Sequence, residues 1–224
     1  MRCSLCHQGN EAAASLEAEC PHCGSLPEDR AFARFFRDYA HPEAGAKILD
    51  VAPPSPQLAN FTRFVGEAKY TAVAPVRLPG SEALKPPHRF LEMDITRMSF
   101  SDSSFDIIIC NHVLPYVRSD FLAMSEMHRC LKAQGVAFLN VSVHPGKSKR
   151  SGEGNGLPGT GQEWSYGEDY FERLEAAGLF VQKVALAPLL KDLPEGLGVP
   201  EGAQQVVCFK FRDTMDAFLG RIPR

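Results

Sequence analysis

The sequence lacks an apolar run of the roughly 18 residues that a membrane-spanning helix needs. Its first residues, MRCSLCHQGN, contain no apolar stretch of the kind a signal peptide has. A basic excess is also absent, because 24 Lys and Arg stand against 27 Asp and Glu, and the formal net charge is -3. No overall positive field therefore favours nucleic acid or anionic lipid. We expect a cytoplasmic protein with no membrane contact, and nucleic acid is not an expected partner.

Cysteine occurs seven times, and four of the seven stand in two Cys-x-x-Cys pairs, CSLC and CPHC. In a reducing compartment, clustered thiols bind a metal more often than they pair as disulfides. Four thiolates complete the tetrahedral shell of Zn²⁺ and leave no open position for chemistry. We predict a structural zinc ribbon or knuckle over residues 1–28, with a redox or iron site, or thiols without a metal, as the alternatives. Its ligands would be Cys3, Cys6, Cys20 and Cys23.

From residue 45 onward, short apolar runs alternate with amphipathic segments, the pattern of a parallel sheet with crossover helices. The predicted strands are Lys47–Val51, Tyr70–Val73, Arg89–Met93, Phe105–Cys110 and Val136–Val143. Helices are predicted at 29–40, from Ser55, near Val113–Val117, at Asp120–Lys132 with Gly135 as terminator, and at 166–178. Two last strands, 179–186 and 204–212, have no helix between them, which predicts an antiparallel pair that closes the sheet.

Composition changes along the chain predict its organisation. Residues 29–44 are predicted to form a linker helix, and residues 45–224 the main domain. The segment 144–164 is rich in glycine and has no periodicity, so it is predicted to be a long mobile loop. Its KSKR run could contact nucleic acid, but basic residues in such a loop are more often simply solvated.

The most specific segment of the sequence is FLEMDITRMSFSDSSFDIIICNHVLPYV, residues 90–117. Asp94 follows the third predicted strand, Phe105 and Asp106 lead into the fourth, and Asn111 ends it. This run and the following EMHRCLKAQGVAFLNV resemble class I S-adenosylmethionine-dependent methyltransferases, and the resemblance covers residues 45–186. It implies a Rossmann-like, seven-stranded, mostly parallel sheet with helices on both faces and an antiparallel last strand. It also implies S-adenosylmethionine as cofactor and an unidentified methyl acceptor.

The resemblance implies a cofactor site beyond the carboxyl ends of the strands. Asp94 would accept a hydrogen bond from the adenine amino group, with Ile95 and Phe100 beside the ring. Asp50 would face the methionine half, where its charge suits an ammonium and a sulfonium. For Asp94 the alternative is turn chemistry at a strand end, which needs no ligand. The implied cofactor-contacting residues are Asp50, Ala52, Pro53, Asp94, Ile95, Phe100, Asn111 and His112.

Two departures from the family pattern concern the cofactor loop. The turn after Asp50 has Pro53 and Pro54 where the family has glycines, which allow positive φ and close approach of the backbone to the ligand. The second strand ends in Ala74 and Pro75, where the family has an acid that binds both ribose hydroxyls. These departures raise a second hypothesis, a degenerate methyltransferase fold that acts as a non-catalytic interaction module with a structural zinc.

Methyl transfer needs an acceptor held in line with the methyl carbon and requires no fixed catalytic pair. The catalytic residues are therefore unknown from sequence, and the candidates on the acceptor side are His112, Tyr116, His144 and Trp164, which lie at or after the ends of the fourth and fifth predicted strands. A protein partner could bind through the zinc ribbon.

Overall fold

The computed structural model describes residues 3, 5–8, 19–40, 42–61, 65–150, 161–190 and 202–223. Its strands are β1 (Lys47–Val51), β2 (Lys69–Ala74), β3 (Arg89–Glu92), β4 (Phe105–Ile109), β5 (Leu131–Phe138), β6 (Lys149–Arg150), β7 (Trp164–Ser165), β8 (Phe180–Ala185) and β9 (Gln204–Phe209). Its α-helices are α1 (Pro27–Tyr39), α2 (Ser55–Asn60), α3 (Asp120–Cys130), α4 (Tyr170–Ala176), α5 (Leu186–Leu189) and α6 (Arg212–Leu219).

Seven strands form one sheet in the order β3-β2-β1-β4-β5-β9-β8. The first five pair in parallel, whereas β9 lies between β5 and β8 and is antiparallel to both. The strand order reverses between β1 and β4, so the carboxyl ends of these two strands flank the point where open α/β sheets bind ligands. This topology confirms the predicted fold class.

Helices cover both faces of the sheet. On one face, α1, α2 and α6 bury their apolar residues against β1, β5 and β9 in a core that includes Phe36, Phe61 and Phe138. On the other face, α3 and α4 pack against the same strands, and Met124 and Met127 are fully buried there. The strands are apolar on both sides because both sides are covered.

The helix α1, predicted as a linker, packs against the sheet. Phe35 and Phe36 are fully buried, and both rings contact Phe138 of β5, with centroids 6.1 and 5.9 Å away. The tyrosine and phenylalanine spacing that predicted a helix thus also gives α1 an apolar face.

Two predicted boundaries are wrong. The helix expected to reach Lys132 ends at Cys130, and β5 begins at Leu131 and ends at Phe138. Gly135 lies inside this strand and does not terminate the helix. A Cβ atom at residue 135 would come within 2.7 Å of Leu131 Cδ1 and 3.0 Å of the Asp106 carbonyl oxygen, so close packing requires glycine there.

Part of the segment predicted as a loop is paired. Lys149–Arg150 forms an antiparallel pair with Trp164–Ser165. Residues 151–160 of that segment lie outside the described residues. In the described part of the chain, no helix combines the length and hydropathy that crossing a membrane requires.

Candidate functional site

The four cysteines of the N-terminal segment come together. Their Sγ atoms all lie within 4.8 Å of one another, and the pairs Cys3–Cys23 and Cys6–Cys20 are each 3.9 Å apart. Three of the four side chains are buried. Burial raises the pKa of the Cys6 thiol to about 12, so this thiol needs a neighbouring cation to ionise at neutral pH.

Both Cys-x-x-Cys pairs form the same turn. The N–H of the residue after the second cysteine donates to the carbonyl of the first, His7 to Cys3 at 2.9 Å and Gly24 to Cys20 at 2.8 Å. These two residues have φ angles of 59° and 72°. Such repeated turns direct two pairs of sulfurs toward one point, and tetrahedral Zn–S bonds of about 2.3 Å place sulfurs about 3.8 Å apart. The cluster therefore fits Zn²⁺.

A second site, a cavity of about 1180 Å³, lies at the carboxyl ends of β1, β2, β4 and β5. It is large enough for a ligand with the dimensions of a nucleoside cofactor. Among the residues predicted to contact a cofactor or an acceptor, those that line it are Ala52, Asp94, Ile95, Asn111, His112 and Tyr116.

The turn between β1 and α2 keeps a left-handed residue without glycine. Ala52 has a φ of 45°, and its N–H donates to the Val73 carbonyl at 2.7 Å. A non-glycine residue in this region costs roughly 1–2 kcal/mol, and such strain is most often found at functional sites. The prolines follow it: Pro53 is buried away from the cavity, whereas Pro54 lines it and accepts the first helical hydrogen bond from Leu58.

Asp50 does not reach the cavity, which corrects the expectation that it faces the methionine half of a cofactor. It is 1% exposed, and its Oδ2 atom accepts hydrogen bonds from the Tyr70 hydroxyl at 2.6 Å and from Gln57 Nε2 at 2.7 Å. Burial raises the pKa of Asp50 to about 7, although both hydrogen bonds oppose the rise. Alternation along β1 explains the placement, because residue 50 shares a face with Ile48 and points into the core with Tyr70.

Asp94 lies at the cavity wall after β3. Its Oδ1 atom accepts hydrogen bonds from the N–H and the hydroxyl of Thr96, both at 2.8 Å, and these bonds lower its pKa. The side chain is exposed and Ile95 beside it is buried. Asp94 therefore forms the turn with Thr96 and also lines the cavity. Phe100 does not line the cavity but packs edge-on against Phe105, with centroids 4.8 Å apart.

The end of β4 supplies a second strained residue. His112 has a φ of 60°, and its N–H donates to the Asn140 carbonyl at 2.6 Å. Next to it, Asn111 Oδ1 accepts a hydrogen bond from the Asn140 N–H at 3.2 Å. These bonds tie the ends of β4 and β5 together and hold His112 at the cavity, with Tyr116 on the same side.

Two of the acceptor candidates do not line the cavity. His144 is exposed. Trp164 stacks on the Arg173 guanidinium, 4.4 Å from the ring centroid, and donates from Nε1 to the Arg118 carbonyl at 3.3 Å. Arg173 also pairs with the buried Asp120 at 2.6 Å. Trp164 is therefore part of a packed ion-pair cluster.

Sequence reasoning missed the wall that α1 contributes. Leu26, Glu28, Asp29 and Phe32 line the cavity opposite the ends of the strands. The pattern DRAFARFF indicated a helix but carried no signal for where it packs. The amides of Asn140, Gln204 and Gln205 also line the cavity and were not predicted.

One arginine makes hydrogen bonds that fix part of the segment 90–117. Arg129 of α3 donates to the carbonyls of Met98 and Phe100 at 3.0 and 2.7 Å, to Asp102 at 2.8 Å and to Glu126 at 2.7 and 2.8 Å. Glu126 in turn accepts from the Met98 N–H at 2.6 Å. The acid and arginine of EMHR therefore fix the loop that follows Asp94.

A family model described as "Methyltransferase domain" matches residues 54–139. No curated protein matches the sequence. Solved structures match the fold. The 1,6-didemethyltoxoflavin-N1-methyltransferase of Burkholderia thailandensis, solved with S-adenosylhomocysteine, is 18% identical with a TM-score of 0.54, covering 81% of this chain and 76% of that one.

Two further structures extend the comparison. In a Haloferax volcanii complex between the Trm112 methyltransferase activator and a methyltransferase, the match is 15% identical with a TM-score of 0.56, covering 82% of this chain and 94% of that one. The [4+2]-cyclase SpnF is 16% identical with a TM-score of 0.60, covering 94% of this chain and 88% of that one.

Proposed function

We propose that this chain, which has the Rossmann-like fold of class I S-adenosylmethionine-dependent methyltransferases and a methyltransferase-domain match over residues 54–139, binds S-adenosylmethionine and transfers its methyl group to an acceptor in the same cavity. The observation that carries the proposal is the cavity at the carboxyl ends of β1 and β4, with the left-handed Ala52 at its wall. A backbone held in this conformation leaves room for a ligand where a glycine-rich turn normally does.

Each side of the cavity suits one part of the cofactor. Asp94 offers a carboxylate to the adenine amino group, and Ile95 offers an apolar surface to the ring. Ala52 and the residues after Asn111 would contact the methionine half. The cofactor supplies an electrophilic methyl group, and the protein's task is to align an acceptor with it.

His112 and Tyr116 are the described acceptor candidates that line the cavity, and each can donate or accept a hydrogen bond. Both would orient the acceptor, and His112 would take its proton, because burial lowers the pKa of this imidazole and favours its neutral form. Glu28 and Asp29 of α1 add two carboxylates to this wall.

The part of the proposed site that would bind the cofactor ribose lacks a charged hydrogen-bond acceptor. Pro75 lines the cavity after β2, and no carboxylate follows Ala74 there. A missing charged acceptor costs about 1.5–3 kcal/mol of binding free energy, roughly ten- to a hundredfold in Kd. We therefore propose weak cofactor binding, with a Kd in the micromolar range.

Titration calorimetry with S-adenosylmethionine and S-adenosylhomocysteine tests the proposal. We expect binding heat from the wild type and a roughly tenfold or larger rise in Kd for Asp94→Asn, which loses a charged acceptor. Glu92→Gln is the matched control, because Glu92 is exposed on β3 and does not line the cavity. Absence of heat from the wild type at high micromolar concentration would refute cofactor binding and leave the non-catalytic module. The fold alone does not decide the reaction, because the structure of a [4+2]-cyclase also matches it.

We further propose a structural Zn²⁺ on Cys3, Cys6, Cys20 and Cys23, supported by the spacing of their sulfurs. A site built from four thiolates is typical of a reducing compartment, which supports a cytoplasmic location. The Haloferax volcanii relative assembles with an activator protein, and this supports a protein partner for the present chain.

A further inference from the structure

The four-cysteine cluster is directly continuous with the wall of the cavity. Only Gly24 and Ser25 separate Cys23 from Leu26, the first cavity-lining residue of the α1 segment. The first turn of α1 then contributes Glu28 and Asp29 to the same wall. A metal-dependent turn and a ligand-binding surface are therefore neighbours in the chain.

The side chain of Ser25 contacts the cysteine cluster. It is fully buried, and its Oγ atom lies 3.2 Å from Cys23 Sγ and 3.6 Å from Cys3 Sγ. With metal bound, the single hydrogen of this hydroxyl would be donated to one of the two thiolates. The position of Ser25 thus depends on the order of the cluster.

The carbonyl of Ser25 makes the connection to the helix. It accepts a hydrogen bond from the Cys20 N–H at 2.9 Å and another from the guanidinium of Arg30, which lies on α1 and is 2% exposed. Asp29 completes the turn, because its Oδ2 atom accepts from the Leu26 N–H at 2.9 Å. One peptide group therefore joins the second Cys-x-x-Cys turn to the first turn of α1.

The rest of α1 is held differently. From Ala31 onward the helix depends on the main core, because Phe32, Phe35 and Phe36 are buried there and their rings contact Phe61 or Phe138. Loss of the metal would then loosen the first turn without releasing the whole helix. Local opening of this kind is expected where few core contacts hold a segment.

We propose that metal occupancy of the cysteine cluster controls the ligand affinity of the cavity, because the metal fixes the first turn of α1 as one of its walls. The inference rests on the proposed cofactor binding for its functional consequence, but the structural coupling stands apart from it. Coupling between two sites typically changes affinity by about 5- to 150-fold. We expect the Kd for S-adenosylhomocysteine to rise within that range when Zn²⁺ is removed.

The test compares the Zn²⁺-loaded full chain with the chain treated with a chelator and a reducing agent. Amide hydrogen exchange reads the coupling without any ligand: exchange at residues 30–32, the first N–H groups of α1 with a carbonyl partner, should accelerate on metal removal, while residues 35–39 stay protected. Titration with S-adenosylhomocysteine then reads the consequence. Unchanged exchange at residues 30–32 would overturn the proposal, and so would an unchanged Kd in a chain that binds the ligand. No binding heat from the Zn²⁺-loaded chain would refute the proposed function, while the exchange measurement would still decide the coupling.

A variant separates this effect from general unfolding. Arg30→Met removes the guanidinium that binds the Ser25 carbonyl and leaves all four cysteines in place. It should retain Zn²⁺ and still show faster exchange at residues 30–32. Arg37→Met, at the other end of α1, is the matched control and should match the wild type. If metal removal unfolds the chain, the Arg30→Met variant becomes the deciding test of the coupling. Exchange at residues 30–32 of this variant at the wild-type rate would then refute the proposal.

Discussion

Replacing Asp50 by Asn should remove a pH dependence from the folding of this protein. Asp50 is buried between Tyr70 and Gln57, and burial raises its pKa from 3.8 to about 7. Both neighbours donate to the same oxygen, and an asparagine side-chain oxygen can accept both bonds in its place. The substitution thus removes the charge and keeps the geometry.

The sign follows from proton binding in the two states. Between pH 4 and pH 7 the unfolded chain has lost the Asp50 proton while the folded chain retains it, so the stability that this group contributes is greatest below pH 4 and is lost as pH rises. The free energy of unfolding should fall by up to about 1.4 kcal/mol per pH unit in this window. Across the whole window the loss approaches about 4 kcal/mol and levels off above pH 7.

Urea unfolding between pH 5.5 and 8.5, under reducing conditions with Zn²⁺ present, measures this slope. The wild type should lose stability toward pH 7 and then level off, and Asp50→Asn should lack that component. Glu92→Gln, which removes an exposed acid, should keep the wild-type slope. If Asp50→Asn and the wild type showed parallel curves, Asp50 would be ionised in the folded protein and the argument from burial would be wrong.

Further predictions concern the metal and a buried ion pair. Elemental analysis should find about one zinc per chain, and Cys20→Ser with Cys23→Ser should abolish it; a folded wild type without metal would contradict the ligand assignment. Arg173→Met should destabilise the protein by about 3–5 kcal/mol in urea unfolding, because it leaves the buried Asp120 carboxylate without its cation. The double variant with Asp120→Asn should recover part of that loss, and a single variant as stable as the wild type would show that the pair is not desolvated.

Local patterns were sufficient to predict the sheet. The strand β1 lies at the predicted residues 47–51, and the last two strands pair antiparallel as predicted. The expected absence of a helix between them is wrong, because the short helix α5 follows β8 directly. The spacing of the two Cys-x-x-Cys pairs likewise predicted that the four cysteines come together, as they do. These features depend on residues close in sequence or on strict periodicity.

Contacts between residues far apart in the sequence determine the features of the site that local patterns did not predict. Alternation along β1 directs Asp50 inward, but its burial depends on Tyr70 of the neighbouring strand, whose hydroxyl donates to the carboxylate. Ala52 adopts the conformation expected of glycine because its N–H is fixed by Val73. The place of α1 over the cavity depends on contacts with Phe138, about a hundred residues away, and no local pattern encodes such a partner.

The hydrogen bonds of Arg129 bear on what the likeness of the segment 90–117 to methyltransferases means. They support the loop from Met98 to Asp102 whether or not any reaction takes place beside it. Replacing Glu126 or Arg129 would remove these bonds and loosen the loop, with or without a ligand beside it. The likeness of this segment to methyltransferases is therefore evidence for the loop it forms and not, by itself, for catalysis.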